Sequence, residues 1–423
     1  MLVIGTTPDY VDLIASRWPG RAVFLTHPEV RAGASETPPP PGTEILCDLT
    51  AVGEAIELVA DAGHIGGWRP SGVTAYDCES LYLAAQLAEE LGFPFASPSA
   101  VAACRNKLAS KRLWEAAGVP CPRAARVRTV DEALGFREEI AGPMVLKPLC
   151  GSGAELTFLC RTRQEVATAF GTLAAGLARH ADERLLGSLP GDSEGNPREV
   201  FAAEEFVAGT EFSADFIVAE GRVSLLRTAR KIPHPGATFG TTMAYVVPSG
   251  LSDPVMRGQL PSSLSAAACA LGVRRGLCMA DFILRDGLPV LLELTPRPGG
   301  DCLPDLLLHS GGLDTIGAAL DLAEGLPVRA PSAQEWCPLV GLRLLAARSG
   351  ALARIDVTGA DDDERVVLCR ATKAPGHRII LPPDDYDSRI LGHILFRPAG
   401  EEDLVETCLE LSARVRVSLE GEP

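Results

Sequence analysis

Two apolar runs around residue 285 restrict the fold of this 423-residue chain more than any other feature of its sequence. Residues 279–284 and 290–293 are largely apolar and flank the turn-forming sequence Arg-Asp-Gly at 285–287, which predicts an antiparallel β-hairpin. Pairing about that turn brings Asp281 and Glu293 to the same end of the hairpin. Two neighbouring carboxylates in apolar surroundings need a counter-charge, and a hard divalent cation supplies one. The plainer alternative is a surface hairpin with two unrelated acids.

The first hundred residues alternate strand-like and helix-like segments. Residues 2–4 and 22–25 are short apolar runs, and residues 10–18 between them have the apolar spacing of a helix. This βαβ order predicts a parallel sheet covered by helices over residues 1–104. No G-x-G-x-x-G sequence follows the first apolar run, so a dinucleotide site is not supported there.

Charge and composition exclude several classes of function. The formal net charge is −16 and no Lys- or Arg-rich run occurs, whereas a nucleic-acid-binding protein needs a basic surface. No uninterrupted apolar stretch reaches about 18 residues, so no membrane-spanning segment is expected. The 12 cysteines form no Cys-x-x-Cys pair, and the first residues lack the features of a signal peptide. We therefore expect a cytoplasmic protein with free thiols.

Two basic segments are candidates for binding phosphate. Lys147 ends an apolar run and is followed by Gly151-Ser152-Gly153, a turn whose backbone N–H groups could approach phosphate oxygens. Lys107 begins a predicted helix, where its ammonium and the helix N-terminus could act together. Because Lys147 precedes the glycines, the segment is not a Walker loop. An ordinary strand-to-turn transition and a solvent-facing lysine are the alternatives.

Acidic residues lie on both sides of a predicted turn near Gly209, which joins two strand-like runs. The carboxylate of Glu204 could accept a hydrogen bond from an adenine amino group, and Glu211 could bind ribose hydroxyls. The backbone of residues 205–207 could bond the edge of the base. A charged hairpin without a ligand is the alternative.

A basic loop follows the second of the two hairpin strands directly. Arg297 lies within Thr-Pro-Arg-Pro-Gly-Gly-Asp at 295–301, where proline and glycine stiffen the chain. A planar guanidinium on such a loop suits bidentate binding of a carboxylate or phosphate. A turn with a solvated arginine is the alternative.

The order of these segments resembles the ATP-grasp superfamily. The matching segments, within residues 70–325, are CRNK at 104–107, LKPLCGSGA at 146–154, EEFVAGTE at 204–211, RTARKIP at 227–233, MADF at 279–282 and ELTPRPGGD at 293–301. The order and spacing of all six are far more specific than any one segment. Residues 375–411 resemble, more loosely, the extra C-terminal domain of the bacterial L-amino-acid ligase branch.

The resemblance implies an α/β and α+β multidomain protein with the ATP-grasp fold. The implied parts are an N-terminal Rossmann-like domain (1–104), a small lid subdomain (105–203), a large subdomain with a metal site (204–328) and a small C-terminal α+β domain (329–423). Relatives with such a tail are often dimers, which leaves a homodimer open.

The resemblance also implies a nucleotide site. The residues that would contact ATP are Lys107, Lys147, Gly151, Ser152, Gly153, Glu204, Glu205, Phe206, Val207, Glu211 and Arg230. The lysines and the glycine loop would hold the phosphates, the segment from Glu204 to Val207 would frame the adenine, and Glu211 would bind the ribose. Lys231 would be a third basic contact to phosphate, with Arg230 as an equally placed alternative.

Metal and catalytic residues follow from the same resemblance. Asp281 and Glu293 would bind Mg²⁺, or alternatively Mn²⁺. The family usually has Asn two residues after the Glu, whereas this chain has Thr295, which offers one neutral oxygen and leaves a second metal open. Arg297 and Lys231 would be catalytic, with Arg297 binding the substrate carboxylate or the developing tetrahedral centre.

The implied reaction is ATP-dependent formation of an amide or peptide bond through an acyl phosphate, with small carboxylate and amine substrates such as amino acids. Because an acyl phosphate hydrolyses in water, the site must close, and residues 151–153 and 182–199 are candidate lids. Two alternatives remain: a carboxylating or purine-pathway ligase of the biotin-carboxylase kind, and an ATP-binding protein without turnover, which Thr295 suggests.

Overall fold

The computed structural model describes residues 1–66, 69–180, 182–187, 189, 194–400 and 403–421. Of the loop predicted at 182–199, residues 188 and 190–193 lie outside the described residues. In the described part of the chain, no helix is long and apolar enough to cross a membrane.

Strands and helices are numbered in chain order. The strands are β1 (Leu2–Ile4), β2 (Val23–Thr26), β3 (Glu44–Leu46), β4 (Val73–Thr74), β5 (Ala124–Val127), β6 (Met144–Pro148), β7 (Phe158–Cys160), β8 (Phe201–Glu205), β9 (Thr210–Ala219), β10 (Arg222–Pro233), β11 (Thr242–Val247), β12 (Arg275–Arg285), β13 (Leu288–Thr295), β14 (Leu339–Leu345), β15 (Gly350–Asp356), β16 (Val366–Ala371), β17 (Arg378–Ile379), β18 (Ile390–Phe396) and β19 (Arg416–Leu419). The α-helices are α1 (Pro8–Arg17), α2 (Pro28–Ala32), α3 (Val52–Gly66), α4 (Leu81–Leu91), α5 (Pro98–Arg105), α6 (Lys107–Ala116), α7 (Val130–Ile140), α8 (Arg163–Arg179), α9 (Glu183–Leu186), α10 (Leu260–Ala270), α11 (Leu303–Gly311), α12 (Thr315–Ala323), α13 (Thr358–Asp361) and α14 (Leu404–Arg414).

The N-terminal sheet has the strand order β3-β2-β1-β4, and every pair in it is parallel. This confirms the parallel arrangement that the alternation of strand-like and helix-like runs predicts. After β1 the chain turns at Gly5, whose φ is +59°, and a Cβ there would lie 1.8 Å from Ser80 Oγ. Only glycine permits this close approach between the turn after β1 and the start of α4.

A second sheet, with the order β5-β8-β6-β7, is antiparallel throughout. Its core, formed largely with α7 and α8, also includes Tyr386 from the C-terminal segment, which is 5% exposed. Helix α6, which precedes the sheet, begins at Lys107 because Asn106 Oδ1 accepts the backbone N–H groups of Leu108 and Ala109, both at 3.1 Å.

The largest sheet has the order β13-β12-β9-β10-β11-β14-β18-β16. Strands β14, β16 and β18 come from the segment predicted as a separate C-terminal domain at 329–423, and β14 pairs directly with β11. The sheet therefore continues across the predicted boundary at 328/329. Without a neighbour, β11 would be an edge strand with unpaired backbone N–H and C=O groups, and β14 pairs with it.

The two strands on either side of Gly209 do not form a hairpin. Strand β8 belongs to the second sheet and β9 to the largest sheet, so the segment between them crosses from one sheet to the other. Gly209 has φ +148°, and a Cβ there would lie 2.6 Å from Ile283 Cγ2. The glycine permits close packing against β12 rather than a tight turn.

The hairpin of β12 and β13 forms as predicted, with Asp281 opposite Glu293 in register. The pairing shifts between Asp281 and Phe282, so a bulge lies directly beside the acidic pair. Phe282 is fully buried and stacks on Phe212 of β9 with the ring centroids 5.5 Å apart. This apolar contact anchors the end of the hairpin that carries Asp281.

Replacing Phe282 with Ala should lower the free energy of unfolding by about 3–5 kcal/mol, because it leaves a cavity in the core beneath the acidic pair. Chemical denaturation followed by circular dichroism measures the change. Leu288→Ala is the control: Leu288 is 51% exposed, and its loss should change stability by about 0.5 kcal/mol or less. Equal effects of the two variants would contradict this account of the hairpin.

Candidate functional site

A single cleft of about 2070 Å³ is lined by residues from the N-terminal sheet, the second sheet and the largest sheet. Every residue that the sequence analysis assigned to nucleotide, metal or catalysis lies along this cleft. Their separate segments therefore come together in space, although the role of each remains a prediction.

The acidic pair lies on one edge of the cleft. Asp281 is 6% exposed, and its Oδ2 forms an ion pair with Lys231 Nζ at 2.9 Å. The same ammonium also contacts Glu211 Oε1 closely. Among the described residues, no group hydrogen-bonds Asp281 Oδ1. Burial raises the pKa of Asp281, and Lys231 opposes that rise.

Glu293 lies in a different electrostatic environment. Burial alone would raise its pKa, but the surrounding ammonium groups outweigh burial and lower it. These ammonium groups belong to Lys107, Lys231, Lys147 and Lys111. Glu293 is thus stabilised as a carboxylate, while Asp281 carries an oxygen that no described residue hydrogen-bonds.

The acidic pair and Thr295 fit a divalent cation that is also bound by the phosphates of a substrate. No group of three or more His, Cys, Asp or Glu side chains within the described ranges could hold a metal ion by itself. The cleft instead offers Asp281, Glu293 and the hydroxyl of Thr295. Mg²⁺ is commonly held by one or two carboxylates together with substrate phosphates, so a partial set of protein ligands is what such a site requires.

Three charged side chains, from Lys111, Glu204 and Lys147, form neighbouring ion pairs with little exposure to solvent. Glu204 is 2% exposed; its Oε2 lies 2.8 Å from Lys147 Nζ and its Oε1 lies 3.5 Å from Lys111 Nζ. Burial alone would raise the pKa of Glu204, but the two lysines lower it. The carboxylate predicted to bind adenine is thus already ion-paired, and it holds the Lys147 ammonium in place.

Lys111 is a site residue that the sequence analysis did not identify. It is 2% exposed, and burial lowers its pKa to about 8 despite the opposing Glu204 charge. Its ammonium contacts the carbonyl oxygen of Leu292 and lies 5.1 Å from the Trp114 ring centroid. The spacing of the two lysines could have identified it, because Lys111 follows Lys107 by about one helical turn and lies on the same face of α6.

The glycine loop is attached to the start of α6. Lys107 Nζ donates a hydrogen bond to the Gly151 carbonyl at 2.9 Å, and its backbone N–H donates to the Leu149 carbonyl at 2.8 Å. Gly151 and Gly153 have φ values of +136° and +63°, which favour glycine. The two segments predicted to bind phosphate therefore meet at one point of the cleft.

Residues 205–207, at the end of β8 and just after it, line the cleft, and some of their backbone groups already form hydrogen bonds. The backbone N–H groups of Glu205 and Phe206 already donate to the carbonyls of Arg123 and Pro143, at 2.8 and 3.1 Å. A base bound there would therefore use other backbone groups of the segment. Val207 is 3% exposed and packs with Ile283 and Val290, which gives the segment an apolar anchor.

The guanidinium of Arg297 reaches across to the N-terminal sheet. Its Nε and Nη2 each lie 3.2 Å from Cys78 Sγ, and its Nη1 donates to the Pro298 carbonyl at 2.8 Å. Arg230 and Lys231, predicted as alternative phosphate contacts, both line the cleft. Of these two, Lys231 is the one whose ammonium pairs with Asp281.

A fully buried ion pair beneath the Arg297 loop was also missed by the sequence analysis. Arg227 Nε donates to Asp215 Oδ2 at 2.9 Å, and both side chains are 0% exposed. Asp215 Oδ1 accepts the backbone N–H of Gly299 at 3.0 Å, and a Cβ on Gly299 would lie 2.6 Å from Arg227 Nη2. The pair thus holds the loop two residues from Arg297. Charged residues inside apolar strands were the available signal.

Asp215→Ala should lower the free energy of unfolding by about 3–5 kcal/mol, because Arg227 would remain buried without its carboxylate. Denaturant titration measures the loss. Asp253→Ala is a matched control, since that side chain is 81% exposed and forms an ion pair with the similarly exposed Arg257. A loss below about 1 kcal/mol for Asp215→Ala would contradict the account.

Comparisons with known proteins agree with this architecture. A family model described as ATP-grasp domain matches residues 104–301. A D-alanine–D-alanine ligase of Cupriavidus necator is 30% identical over 265 residues, covering 60% of this chain and 73% of that protein. Carnosine synthase 1 of Homo sapiens is 27% identical over 290 residues, covering 66% of this chain and 34% of that protein.

The crystal structure of an L-amino acid ligase from Bacillus licheniformis shares the fold over almost the whole chain. Its TM-score is 0.74 at 20% identity, covering 99% of this chain and 98% of that one. The chain spans 58% of one further curated relative and about a third of the carnosine synthases. The match to the domain and to the C. necator ligase confirms the resemblance seen in the sequence: the chain belongs to the ATP-grasp family.

Proposed function

We propose that this protein is an ATP-dependent ligase that joins a carboxylate to an amine through an acyl phosphate and releases ADP and phosphate. The observation that carries the proposal is the register pair Asp281–Glu293, which shares one cleft with the ammonium groups of Lys107, Lys147 and Lys231. Phosphoryl transfer needs positioned positive charge around the transferred group, and little else from the protein. Acids that hold a cation, together with separate lysines, meet that need.

The phosphates of ATP would lie between Lys147, Lys107 and the glycine loop. Glu204 keeps the Lys147 ammonium in position, and Lys107 is bonded to the loop through the Gly151 carbonyl. Because both lysines are oriented before the nucleotide arrives, little reorganisation is needed on binding. Glu205, Phe206, Val207 and Glu211 would line the nucleoside end.

Asp281 and Glu293 would hold Mg²⁺, or alternatively Mn²⁺, which supplies positive charge next to the transferred phosphoryl group. Asp281 Oδ1, which has no hydrogen-bond partner among the described residues, is the available carboxylate oxygen. Thr295 would add a neutral oxygen. Lys231 forms an ion pair with Asp281, and its ammonium would contact phosphate as well.

In the first chemical step, a carboxylate oxygen of one substrate would attack the γ-phosphorus, and the bond to ADP would break. In the second, the amine nitrogen of the other substrate would attack the acyl carbon, the bond to phosphate would break and the nitrogen would lose a proton. Arg297 would stabilise the negative charge that develops on the oxygen bonded to that carbon, because its guanidinium is held by Cys78 Sγ and Pro298.

Amino acids are the proposed substrate class. Two relatives are named for amino acids, as D-alanine–D-alanine ligase and as L-amino acid ligase. The net charge of −16 gives no support to a nucleic-acid partner. A cytoplasmic location and a homodimer stay predictions.

The experiment that tests the proposal measures phosphate release from ATP and Mg²⁺ across a matrix of amino acids and amines, with mass spectrometry of the products. Release that requires a carboxylate and an amine, with an amide as product, supports the proposal. Release driven by bicarbonate instead would favour a carboxylating enzyme. ATP binding without any substrate-dependent release would favour a protein without turnover.

Glu293→Gln should lower turnover by about 10²-fold or more, because it removes one fixed charge from the phosphoryl-transfer site. Steady-state phosphate release at saturating Mg²⁺ measures the effect. Glu57→Gln, on the exposed face of α3, is the control and should retain the activity of the unmodified protein. Near-normal turnover of Glu293→Gln would remove the residue from the proposed mechanism.

A further inference from the structure

The β-bulge beside the acidic pair determines which face of β13 carries Glu293. Asp281 pairs with Glu293, and Phe282 pairs with Leu291. Leu292 is thus an extra residue without a partner on β12. In an unbroken ladder Glu293 would lie on the face of the buried Phe282, because side chains alternate between the two faces of a strand. The extra residue therefore turns Glu293 toward the cleft, which Asp281 also lines.

Lys111 binds the backbone at this bulge. Its ammonium donates to the carbonyl of Leu292, the extra residue. One position earlier, the backbone N–H of Leu291 donates to the carbonyl of Pro120 at 2.9 Å. Strand β13 lies at one end of the largest sheet, where its outer edge needs partners from elsewhere in the chain. Helix α6 and the chain that follows it therefore supply hydrogen bonds to β13 at the bulge.

The Lys111 ammonium is held in place by groups of the protein itself. The side chain is 2% exposed, its Nζ lies 3.5 Å from Glu204 Oε1, and the Trp114 ring centroid is 5.1 Å away. The described lining of the cleft does not include Lys111, so its effect on a reaction there must pass through other residues. Glu204 also pairs with Lys147 at 2.8 Å and keeps that partner when Lys111 is replaced.

We propose that Lys111 is a positioning residue that holds the bulge at Leu292 and thereby keeps Glu293 opposite Asp281, where the two carboxylates can bind one cation. Without the ammonium, the Leu292 carbonyl loses its charged donor, and the bulge no longer fixes the separation of the two carboxylates. The inference rests on the proposed function and adds the residue that sets the geometry of its metal site.

The test uses Lys111→Met, which removes the ammonium and keeps an unbranched side chain. Binding of Mn²⁺ in the presence of ADP, measured from the electron paramagnetic resonance signal of free Mn²⁺, should weaken by about 10- to 100-fold, the range for residues that orient metal ligands. Turnover with Mg²⁺ should fall by a similar factor. Binding of ADP without metal should weaken by less than about three-fold, because Glu204 still holds Lys147.

A double variant separates this role from a general loss of structure. If Lys111 acts through Glu293, adding Lys111→Met to Glu293→Gln should change turnover by less than about two-fold, because the two changes remove the same contribution. Lys111→Arg retains a charged donor and should recover part of the Mn²⁺ affinity. Glu115→Gln, on the exposed side of α6, is the control and should bind Mn²⁺ as the unmodified protein does.

Three results would overturn the inference. The first is Mn²⁺ binding by Lys111→Met as tight as that of the unmodified protein. The second is an equal loss of ADP binding with and without metal, which would assign Lys111 to the nucleotide through Glu204. The third is a full further loss of turnover in the double variant.

Two other outcomes leave the test intact. If Lys111→Met does not fold, the same comparisons are made with Lys111→Gln, which removes the charge and keeps a polar group beside Glu204. If the unmodified protein releases no phosphate with any substrate, the proposed function has failed, and Mn²⁺ binding with ADP still decides the role of Lys111.

Discussion

Charge compensation within one partly enclosed cleft is the constraint on which the rest of this structure depends. The carboxylates of Asp281 and Glu204 are almost entirely removed from solvent, and each is neutralised by a neighbouring lysine. An uncompensated charge at such depth would cost several kcal/mol. The positions of the acids therefore constrain where the ammonium groups lie, and within the described ranges no group hydrogen-bonds the second carboxylate oxygen of Asp281.

Three sheets contribute to that cleft, and each supplies a different part of the arrangement. The largest sheet carries the acidic pair on β12 and β13 and Lys231 on β10, the second sheet carries Lys147, and the N-terminal sheet carries the Cys78 loop. Rigid strands hold charged groups at separations that loops would not maintain. The C-terminal segment extends the largest sheet and also places Tyr386 in the core of the second sheet, so it joins the two.

Arg297 is held from two directions. The Cys78 sulfur contacts its guanidinium from the N-terminal domain, while the buried pair of Asp215 and Arg227 fixes the following loop through Gly299. A group that must stabilise charge as it develops is most effective when its position is set beforehand.

The sequence by itself determined the parallel N-terminal sheet, the hairpin of β12 and β13 and the opposition of Asp281 and Glu293. Alternation of apolar residues and local turn sequences carry that information within short segments. Only the tertiary structure decided that β8 and β9 enter different sheets, that the largest sheet continues past residue 328, and that Glu204 is paired with lysines. Those outcomes depend on contacts between segments distant in the chain, whose partners no local pattern specifies.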